Sequence, residues 1–425
     1  MNDRHFDVLV VGSGPAGSAA ALVLARGGAR VAIVDKAAFP RDKACGDLIG
    51  PRGVQLLRDL MVEVPSATRV GDMLVVGPTG RRVRLPAVPG RTYPGYAIAV
   101  PRTEFDAALR DAAIAAGATF FDGRADEPLG DGDRLAGFTL SSRTAICADA
   151  IVGADGATSH VADVARLVEP RRTLWGFAVR TYLDEPVAEP NILLWTPEPG
   201  RAFPGYGWVF PAGDRGANVG LGVGVLADRA SGRRAARDLD AFLAHAGRVG
   251  VLGRLRERDD RAHARPLGAW LKMGLVGTTP ARDRVLLVGD SAGLVNPLQG
   301  EGIAQAMDTG RAAAVAILGG VDQAAERYRA HLARTYAPYL ATTATLHRAL
   351  LRRPRTVAAL TRTLTSPGVG RALAGGWSIA WNDLIDGAQP SAAARVAATA
   401  STLGHVLTAR SADRRGIAAS LASVD

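Results

Sequence analysis

The chain has 425 residues, more than one typical domain, and 48% of them are hydrophobic, enough for a sizeable core. The formal net charge is +10, yet aromatic residues make up only 5%, so we expect no nucleic-acid partner. No apolar run reaches the roughly 18 residues that a membrane span needs, and the first strand begins near Phe6, which predicts no signal peptide. Only Cys45 and Cys147 are present, which argues against a disulfide framework and favours a cytoplasmic protein.

The first predicted elements are a strand, a glycine-rich turn, a helix and a second strand. Gly12, Gly14 and Gly17 follow the first apolar strand in the pattern G-x-G-x-x-G, and Asp35 ends the second strand. Such glycines allow a tight turn, close approach of a pyrophosphate and close helix packing. An acid roughly 20 residues beyond them can accept hydrogen bonds from ribose hydroxyls. The pattern predicts the βαβ unit of a dinucleotide site.

The middle of the chain predicts mixed structure. A helix is expected near Val54–Leu60, a strand at 74–76, a helix opening at Arg102 and short strands from there to Gly153. Residues from about 170 to 275 form a β-rich region, and the sequence after residue 310 is helical and rich in alanine and arginine.

Another apolar strand, at 285–288, precedes a second glycine-rich segment. It contains Gly289, Asp290 and Gly293 and continues to Pro297, Gly300 and Gly302. Each glycine segment would aim backbone N–H donors and a positive helix end at one point, so the pair predicts one site for a dinucleotide of the FAD type. The segment also matches the G-x-S-x-G nucleophile elbow of hydrolases. The flavin interpretation is favoured because it also uses Asp290, Pro297 and the later glycines. The seven histidines show no metal-ligand spacing, so no metal is predicted.

Four motifs in residues 8–303 carry a family resemblance. They are the first glycine pattern with Asp35, the segment Phe39-Pro40-Arg41-Asp42-Lys43-Ala44-Cys45-Gly46, the segment Tyr206-Gly207-Trp208-Val209-Phe210-Pro211, and Gly289 to Gly302. The sequence resembles the aromatic-hydroxylase class of flavoproteins and, within it, the geranylgeranyl reductase family.

The resemblance implies an α/β fold: a Rossmann-like FAD-binding domain of the aromatic hydroxylase type, an inserted β-sheet substrate domain and a helical C-terminal region. We predict the FAD-binding domain in 1–70, 99–170 and 280–320, the substrate domain in 71–98 and 171–279, and the helical region in 321–425.

The resemblance also assigns residues to the cofactor. Asp290 would bind the ribityl hydroxyls, Pro297 would lie beside the flavin ring, and Asp155 and Gly156 would contact both FAD and a transient NAD(P)H donor. The implied cofactor-binding residues are Gly12, Gly14, Ala16, Gly17, Asp35, Lys36, Arg41, Cys45, Gly46, Arg102, Ala125, Asp155, Gly156, Asp290, Pro297, Gly300, Gly302 and Ile303.

Cys45 and Asp47 are the candidate catalytic residues. The resemblance places Cys45 near the flavin, where a thiol could help to deliver a proton; the alternative is a small buried side chain. Many reductases of the family continue with glycines after the Cys-Gly pair, whereas this chain has Asp47. The departure leaves the reaction open.

Tyr206, Trp208 and Phe210 alternate, so on a strand they share one face. With Pro211 they are the candidate substrate residues, forming the floor of a cavity that holds a long isoprenoid in reductases resembling this chain. The alternative is an ordinary sheet core.

The predicted function is FAD-dependent reduction of a C=C bond in a hydrophobic, isoprenoid or prenylated substrate, with NAD(P)H or a separate redox protein as reductant. The alternative is a monooxygenase that uses a C4a-hydroperoxyflavin to oxygenate a terpenoid or aromatic compound. A flavin halogenase fits its motif only approximately, and a non-enzymatic FAD- or lipid-binding module is the outside alternative. The alanine- and arginine-rich tail, including 396–407, leaves peripheral contact with a membrane open.

Overall fold

The computed structural model describes residues 4–87, 94–131, 134–195, 205–225, 229–253, 265–351, 353–370, 406 and 410–422. The strands are β1 (Arg4–Val11), β2 (Val31–Asp35), β3 (Leu48–Ile49), β4 (Thr68–Val70), β5 (Met73–Val76), β6 (Arg82–Leu85), β7 (Ala97–Ala99), β8 (Thr119–Asp122), β9 (Ala125–Asp131), β10 (Arg134–Leu140), β11 (Ala145–Gly153), β12 (Leu174–Leu183), β13 (Asn191–Leu193), β14 (Gly205–Pro211), β15 (Ala217–Val225), β16 (Leu267–Met273), β17 (Ala281–Arg282) and β18 (Val285–Leu287). The helices are α1 (Pro15–Arg26), α2 (Pro51–Asp59), α3 (Arg102–Ala115), α4 (His160–Val164), α5 (Arg229–Arg248), α6 (Ile303–Leu318), α7 (Ala324–Thr335), α8 (Ala337–Leu351), α9 (Pro354–Leu364) and α10 (Ala412–Leu421).

The first sheet is the predicted nucleotide-binding sheet. Its parallel strands run in the order β18-β11-β1-β2-β8, with antiparallel β17 at one edge; β10 pairs with β11, and β9 pairs with β10. β1 is exposed at its polar start, Arg4 and His5, and buried over its apolar C-terminal half, Val8–Val11, where it lies between β11 and β2. The strand order reverses at β1, so the carboxyl end of β1 lies at the switch point where such sheets bind nucleotides.

The second sheet has seven strands in the order β16-β12-β15-β14-β13-β5-β6. Its strands lie in 73–85 and 174–273, although the exact domain boundaries stay a prediction. One face packs on α5, a helix that the β-rich interpretation of this region did not include. Leu239, Phe242, Leu243 and Ala246 are buried at helical spacing along α5, so a signal for the helix was present in the sequence.

A small third sheet has three strands in the order β3-β7-β4. Its strand β3 begins directly after Asp47, and Leu48 pairs with Ala99. This pairing fixes the end of the Cys45–Asp47 loop.

Helices α6 to α10 follow the second glycine segment, as the composition predicts. No helix in the described part of the chain is long and apolar enough to cross a membrane. The amphipathic helix expected over 396–407 falls outside the described residues except for Val406, which is exposed.

Candidate active site

The first glycine turn leaves bare backbone at the carboxyl end of β1. Gly12 has φ +102°, and a methyl group added there would lie 2.4 Å from the carbonyl oxygen of Ala154. A methyl group at Gly17 would lie 1.8 Å from the carbonyl oxygen of Gly12. Both positions exclude a side chain, which is the requirement for a backbone cradle around a phosphate group.

The two glycine segments meet in space. The methyl position at Gly289 lies 3.0 Å from Cβ of Ala16, and that at Gly310 lies 2.1 Å from the Ala16 carbonyl oxygen. The backbone N–H of Gly289 donates to the Thr309 hydroxyl at 3.0 Å. The sequence pattern did not include Gly310 or Thr309, because neither belongs to a glycine motif. Their contacts bring α1, α6 and the second segment together into one site.

Asp35 lies at the end of β2, as predicted. Its carboxylate accepts hydrogen bonds from the backbone N–H and the hydroxyl of Ser13, at 2.7 and 2.9 Å, and from the N–H of Ala37 at 2.9 Å. Asp35 therefore steadies the glycine turn itself. The adjacent Lys36 is exposed.

A cluster of one aspartate and two arginines lies beside the first glycine turn. Asp106 accepts from Nε and Nη2 of Arg102 at 2.7 and 2.8 Å and pairs with Arg41 at 2.9 Å. Nη2 of Arg41 lies 3.3 Å from the methyl position of Gly14. Arg41 thus presents a positive charge to the turn where a pyrophosphate would lie, and Asp106 holds both arginines. Asp106 lies four residues beyond Arg102 on α3 and belongs to none of the sequence motifs.

The second segment forms a short 3₁₀ turn at Gly289–Ser291, and the long helix α6 begins only at Ile303, directly after Gly302. The second glycine segment was expected to lead into a helix, and α6 does begin directly after its last glycine, Gly302. Asp290 lies 3.5 Å from Nζ of Lys43.

Hydrogen bonds hold the loop between the 3₁₀ turn at Gly289–Ser291 and the start of α6. Asn296 accepts from the N–H of Leu298 at 2.9 Å and donates to the hydroxyl of Tyr339 on α8 at 2.6 Å. Pro297 is buried and Gly300 has φ +67°. Glycine suits this left-handed position because it has no Cβ.

Ser291 has a structural role. It is fully buried, its hydroxyl lies within hydrogen-bond reach of the carbonyl oxygens of Gly153 and Val288, and it accepts from the N–H of Val288 at 3.1 Å. A nucleophile needs an accessible oxygen with an adjacent base, so the hydrolase elbow does not fit.

Asp155 caps α4: its carboxylate accepts from the N–H groups of His160 and Val161 at 2.7 and 3.1 Å. Burial raises the pKa of Asp155 above its ordinary value, against these hydrogen bonds. Gly156 has φ +86° with open space around its methyl position, and Ala125 is buried at the start of β9.

The Cys45–Asp47 loop packs against the aromatic strand β14. The methyl position of Gly46 lies 2.9 Å from the ring of Phe210 and 3.4 Å from Nε1 of Trp208. Burial raises the pKa of the Cys45 thiol, against the nearby positive charge of Arg102. The loop therefore lies between the arginines of the first turn and the second sheet.

Tyr206, Trp208 and Phe210 share one face of β14, as the alternation predicts, while Val209 faces α5. Trp208 and Phe210 are 5% and 8% exposed and pack with Met73. Tyr206 donates to the carbonyl oxygen of Gln299, and Pro211 pairs with Ala217 at the end of the strand. The aromatic face thus lies between the Cys45–Asp47 loop and the second glycine segment.

Asn218, on β15, joins these parts. Its Nδ2 donates to the Cys45 carbonyl at 2.9 Å and to Asp47 at 2.8 Å, and its Oδ1 accepts from Nε1 of Trp208 at 2.9 Å. Asp47 also accepts from the hydroxyl of Tyr182 on β12. Sequence reasoning missed both residues; the polar Asn218 ahead of an apolar, glycine-rich strand was the one local signal.

The site fits FAD: two glycine turns, which exclude a side chain at Gly12, Gly17 and Gly289, meet at the switch point, with Arg41 beside the first turn and Asp290 in the second. When bound, FAD would supply two-electron redox chemistry. The fold and the site define a flavoprotein of the FAD-binding, aromatic-hydroxylase type.

Comparisons with known proteins agree. The FAD binding domain family matches residues 5–327. Menaquinone reductase of Mycolicibacterium smegmatis is 40% identical over 325 residues, 74% of this chain and 76% of the relative. Geranylgeranyl diphosphate reductase of Rhodobacter capsulatus is 31% identical over 333 residues, 74% of this chain and 75% of the relative. The chain therefore belongs to the geranylgeranyl reductase family of FAD-dependent oxidoreductases.

Solved structures show the same fold. A geranylgeranyl bacteriochlorophyll reductase-like protein from Thermoplasma acidophilum superposes with a TM-score of 0.70 at 21% identity, covering 89% of this chain and 96% of that protein. A flavin-dependent brominase superposes with a TM-score of 0.66 at 16% identity, covering 93% and 98%. The fold is thus shared by reductases and halogenases, and it does not by itself select the reaction.

Proposed function

We propose that the protein uses reduced FAD to reduce a carbon–carbon double bond in a prenylated hydrophobic substrate. The observation that carries this proposal is the 40% identity to menaquinone reductase over three quarters of both chains. Menaquinone and the geranylgeranyl compounds in the other relatives' names have an isoprenoid chain in common. An isoprenoid chain, whether on a quinone, a lipid or a free diphosphate, is therefore the substrate feature that we infer.

In this proposal the chain's own residues bind and orient. Arg41 and the first turn would hold the pyrophosphate, Asp35 the adenosine ribose, and Asp290 the ribityl chain. Arg102, Ala125 and Lys36 would complete the cofactor contacts near the first turn. Reduced FAD would supply a hydride to one alkene carbon.

The remaining cofactor and catalytic roles follow from the same proposal. Pro297, Gly300, Gly302 and Ile303 would flank the ring, and Asp155 and Gly156 would also meet a transient NAD(P)H. A separate redox protein is the alternative reductant. The proton for the second alkene carbon would come from the Cys45–Asp47 loop.

The aromatic face of β14 supports the proposed substrate class. Tyr206, Trp208 and Phe210 form an apolar face next to the Cys45–Asp47 loop and to Gln299; Trp208 and Phe210 are buried, and Tyr206 is partly exposed. An isoprenoid chain has no polar groups to satisfy, so such a surface would align it and exclude water. Peripheral contact with a membrane would give the enzyme access to such a substrate.

The test is anaerobic reoxidation. The FAD-loaded protein is reduced without oxygen and mixed with geranylgeranyl diphosphate or with a menaquinol, whose ring is already reduced, and the oxidised flavin absorbance and the product are followed. The proposal expects this absorbance to return without oxygen. If reoxidation and product formation require oxygen, the monooxygenase alternative replaces the reductase.

A further inference from the structure

Asp47 has an unusual carboxylate. It is 1% exposed, and its Oδ2 accepts from the Tyr182 hydroxyl and from Asn218 at 2.8 Å. Its Oδ1 is buried and has no hydrogen-bond partner among the described residues. An ionised carboxylate with a buried oxygen that accepts no hydrogen bond is destabilising. The cost falls if the carboxyl group is protonated or if a ligand donates a hydrogen bond to that oxygen.

The backbone at Asp47 is also held in a disfavoured conformation. Its φ is +58°, in the left-handed region that only glycine, asparagine and aspartate adopt readily. Two neighbours fix it there: the N–H of Val100 donates to the Asp47 carbonyl at 2.9 Å, and Asn218 donates to the carbonyl of Cys45 at 2.9 Å. Strain that the surroundings over-determine is typical of functional positions.

The charges around Asp47 decide its protonation. Burial raises the pKa of Asp47 to about 6, although hydrogen bonds from Tyr182 and Asn218 and the positive charges of Arg180 and Arg102 oppose the rise. Asp47 therefore exchanges its proton close to neutral pH, the range in which a general acid works best.

Cys45 is the weaker candidate for proton donation. Burial raises the pKa of its thiol above an already alkaline ordinary value, against the attraction of Arg102. Such a thiol gives up its proton less readily than Asp47 at neutral pH.

The geometry points to Asp47 as the group that protonates the second alkene carbon, with Tyr182 and Asn218 as the positioning residues that hold its carboxyl group. This inference rests on the proposed function. The double bond takes up one hydride, assigned above to reduced FAD, and one proton from Asp47. The π bond is lost, two C–H bonds form, FAD is left oxidised, and the Asp47 carboxylate regains its proton from water.

The first test compares single-turnover rates of anaerobic reoxidation across pH, with geranylgeranyl diphosphate or a menaquinol, whose ring is already reduced, as the substrate. We expect the wild-type rate to fall above about pH 6, as Asp47 loses its proton. Asp47→Asn keeps the shape and the left-handed backbone but cannot donate a proton as an acid. We expect it to lower the rate by roughly 10²–10⁴-fold and to remove the alkaline decline.

Tyr182→Phe separates a positioning role from a merely structural one. The hydroxyl lowers the pKa of Asp47, so its removal should move the decline in rate to higher pH. The matched control is Tyr328→Phe, which removes another buried hydroxyl, bonded to the Leu287 carbonyl at 2.8 Å. We expect the control to leave the decline where it is in the wild type.

The second test needs no turnover. Unfolded Asp47 ionises at its ordinary value near 3.8, whereas the folded carboxyl keeps its proton to about 6. The folded state then binds more protons between these values, so the Asp47 contribution to stability falls as pH rises through this window. Two pKa units correspond to roughly a hundredfold in the unfolding equilibrium constant. As the pH rises from 4 to 8, the wild type should therefore lose stability relative to Asp47→Asn, by about a hundredfold in the unfolding equilibrium constant. Chemical denaturation of both proteins at several pH values measures this difference.

The failures are distinguishable. If the wild type is not reoxidised by any prenylated substrate, the proposed function fails and the proton step fails with it. If the wild type is active but Asp47→Asn keeps its rate and its alkaline decline, only the role of Asp47 is refuted. An unmoved decline in Tyr182→Phe refutes the positioning role, and an unchanged pH dependence of stability in Asp47→Asn refutes the titration of Asp47.

Discussion

Gly289 lies directly against Ala16: the methyl position of the glycine is 3.0 Å from the alanine Cβ. This contact joins two segments that are more than half the chain apart. Gly289 also has φ +58°, a conformation that disfavours any side chain. The contact is the physical reason that two separate glycine motifs form one site.

Gly289→Ala should separate these segments. We expect it to lower the free energy of unfolding by about 1–2 kcal/mol from backbone strain and to lose much of the bound FAD. Flavin absorbance per protein and chemical denaturation measure the two effects. Gly71→Ala is the control, because its methyl position has no neighbour within 4 Å. Equal FAD content in both variants would contradict the joint site.

Asp106→Asn should destabilise the protein strongly. The carboxylate is fully buried and pairs with both Arg102 and Arg41. Loss of one partner leaves uncompensated buried charge, at a cost of about 3–5 kcal/mol. The matched control is Asp111→Asn on the same helix, whose side chain is 60% exposed in its pair with Arg110. There we expect less than about 1 kcal/mol by denaturation; similar losses would argue against a special role for Asp106.

Because of Lys272, we expect the stability of the protein to depend on pH in the alkaline range. Lys272 is buried on β16, and its Nζ donates to the Ser291 carbonyl at 2.6 Å. Burial lowers the pKa of Lys272 to about 8, although Asp155, Asp163 and Asp290 attract its charge. Between pH 8 and the ordinary value near 10.5 the unfolded state binds more protons, so the Lys272 contribution to stability should increase with pH by about 3 kcal/mol.

Lys272→Met should remove that increase. Denaturation of the wild type and the variant at several pH values from 7 to 10 measures the difference. A variant that follows the wild-type curve would show that the lysine keeps its proton in the folded state.

Cys45→Ser should retain FAD and slow substrate turnover less than Asp47→Asn does. The thiol accepts from the N–H of Asp47 at 3.4 Å and lies beside Arg102, so serine perturbs the loop without removing the acid. We expect a loss on the order of tenfold, below the roughly 10²–10⁴-fold that removal of a general acid costs. Cys147→Ser, on β11, is the control and should turn over like the wild type. Unchanged turnover in Cys45→Ser would make Cys45 a packing residue.

The sequence predicts the nucleotide-binding half of the fold well. Continuous apolar strands, glycines that cannot carry side chains and an acid at the end of β2 are local features, and local features are visible in the sequence. The second glycine segment was likewise expected to lead into a helix, and α6 begins directly after its last glycine, Gly302.

What the sequence could not predict depends on contacts between distant residues. Tyr182 and Asn218 lie 135 and 171 positions from the Asp47 that they contact. Neither belongs to a motif, and only the pairing of β12, β15 and β14 brings them to the loop. Helix α5 is a different case. Its apolar residues do recur at helical spacing, but the segment lies in a region whose other elements are strands.

The most direct test of the central claim is the mass of the product. The protein is reduced anaerobically in D₂O, mixed with a menaquinone or geranylgeranyl diphosphate, and the product is analysed by mass spectrometry. A reductase of the kind proposed here gives a product in which one double bond has gained two deuterium atoms, without oxygen. A product that forms only in air and has gained an oxygen atom would contradict the proposal.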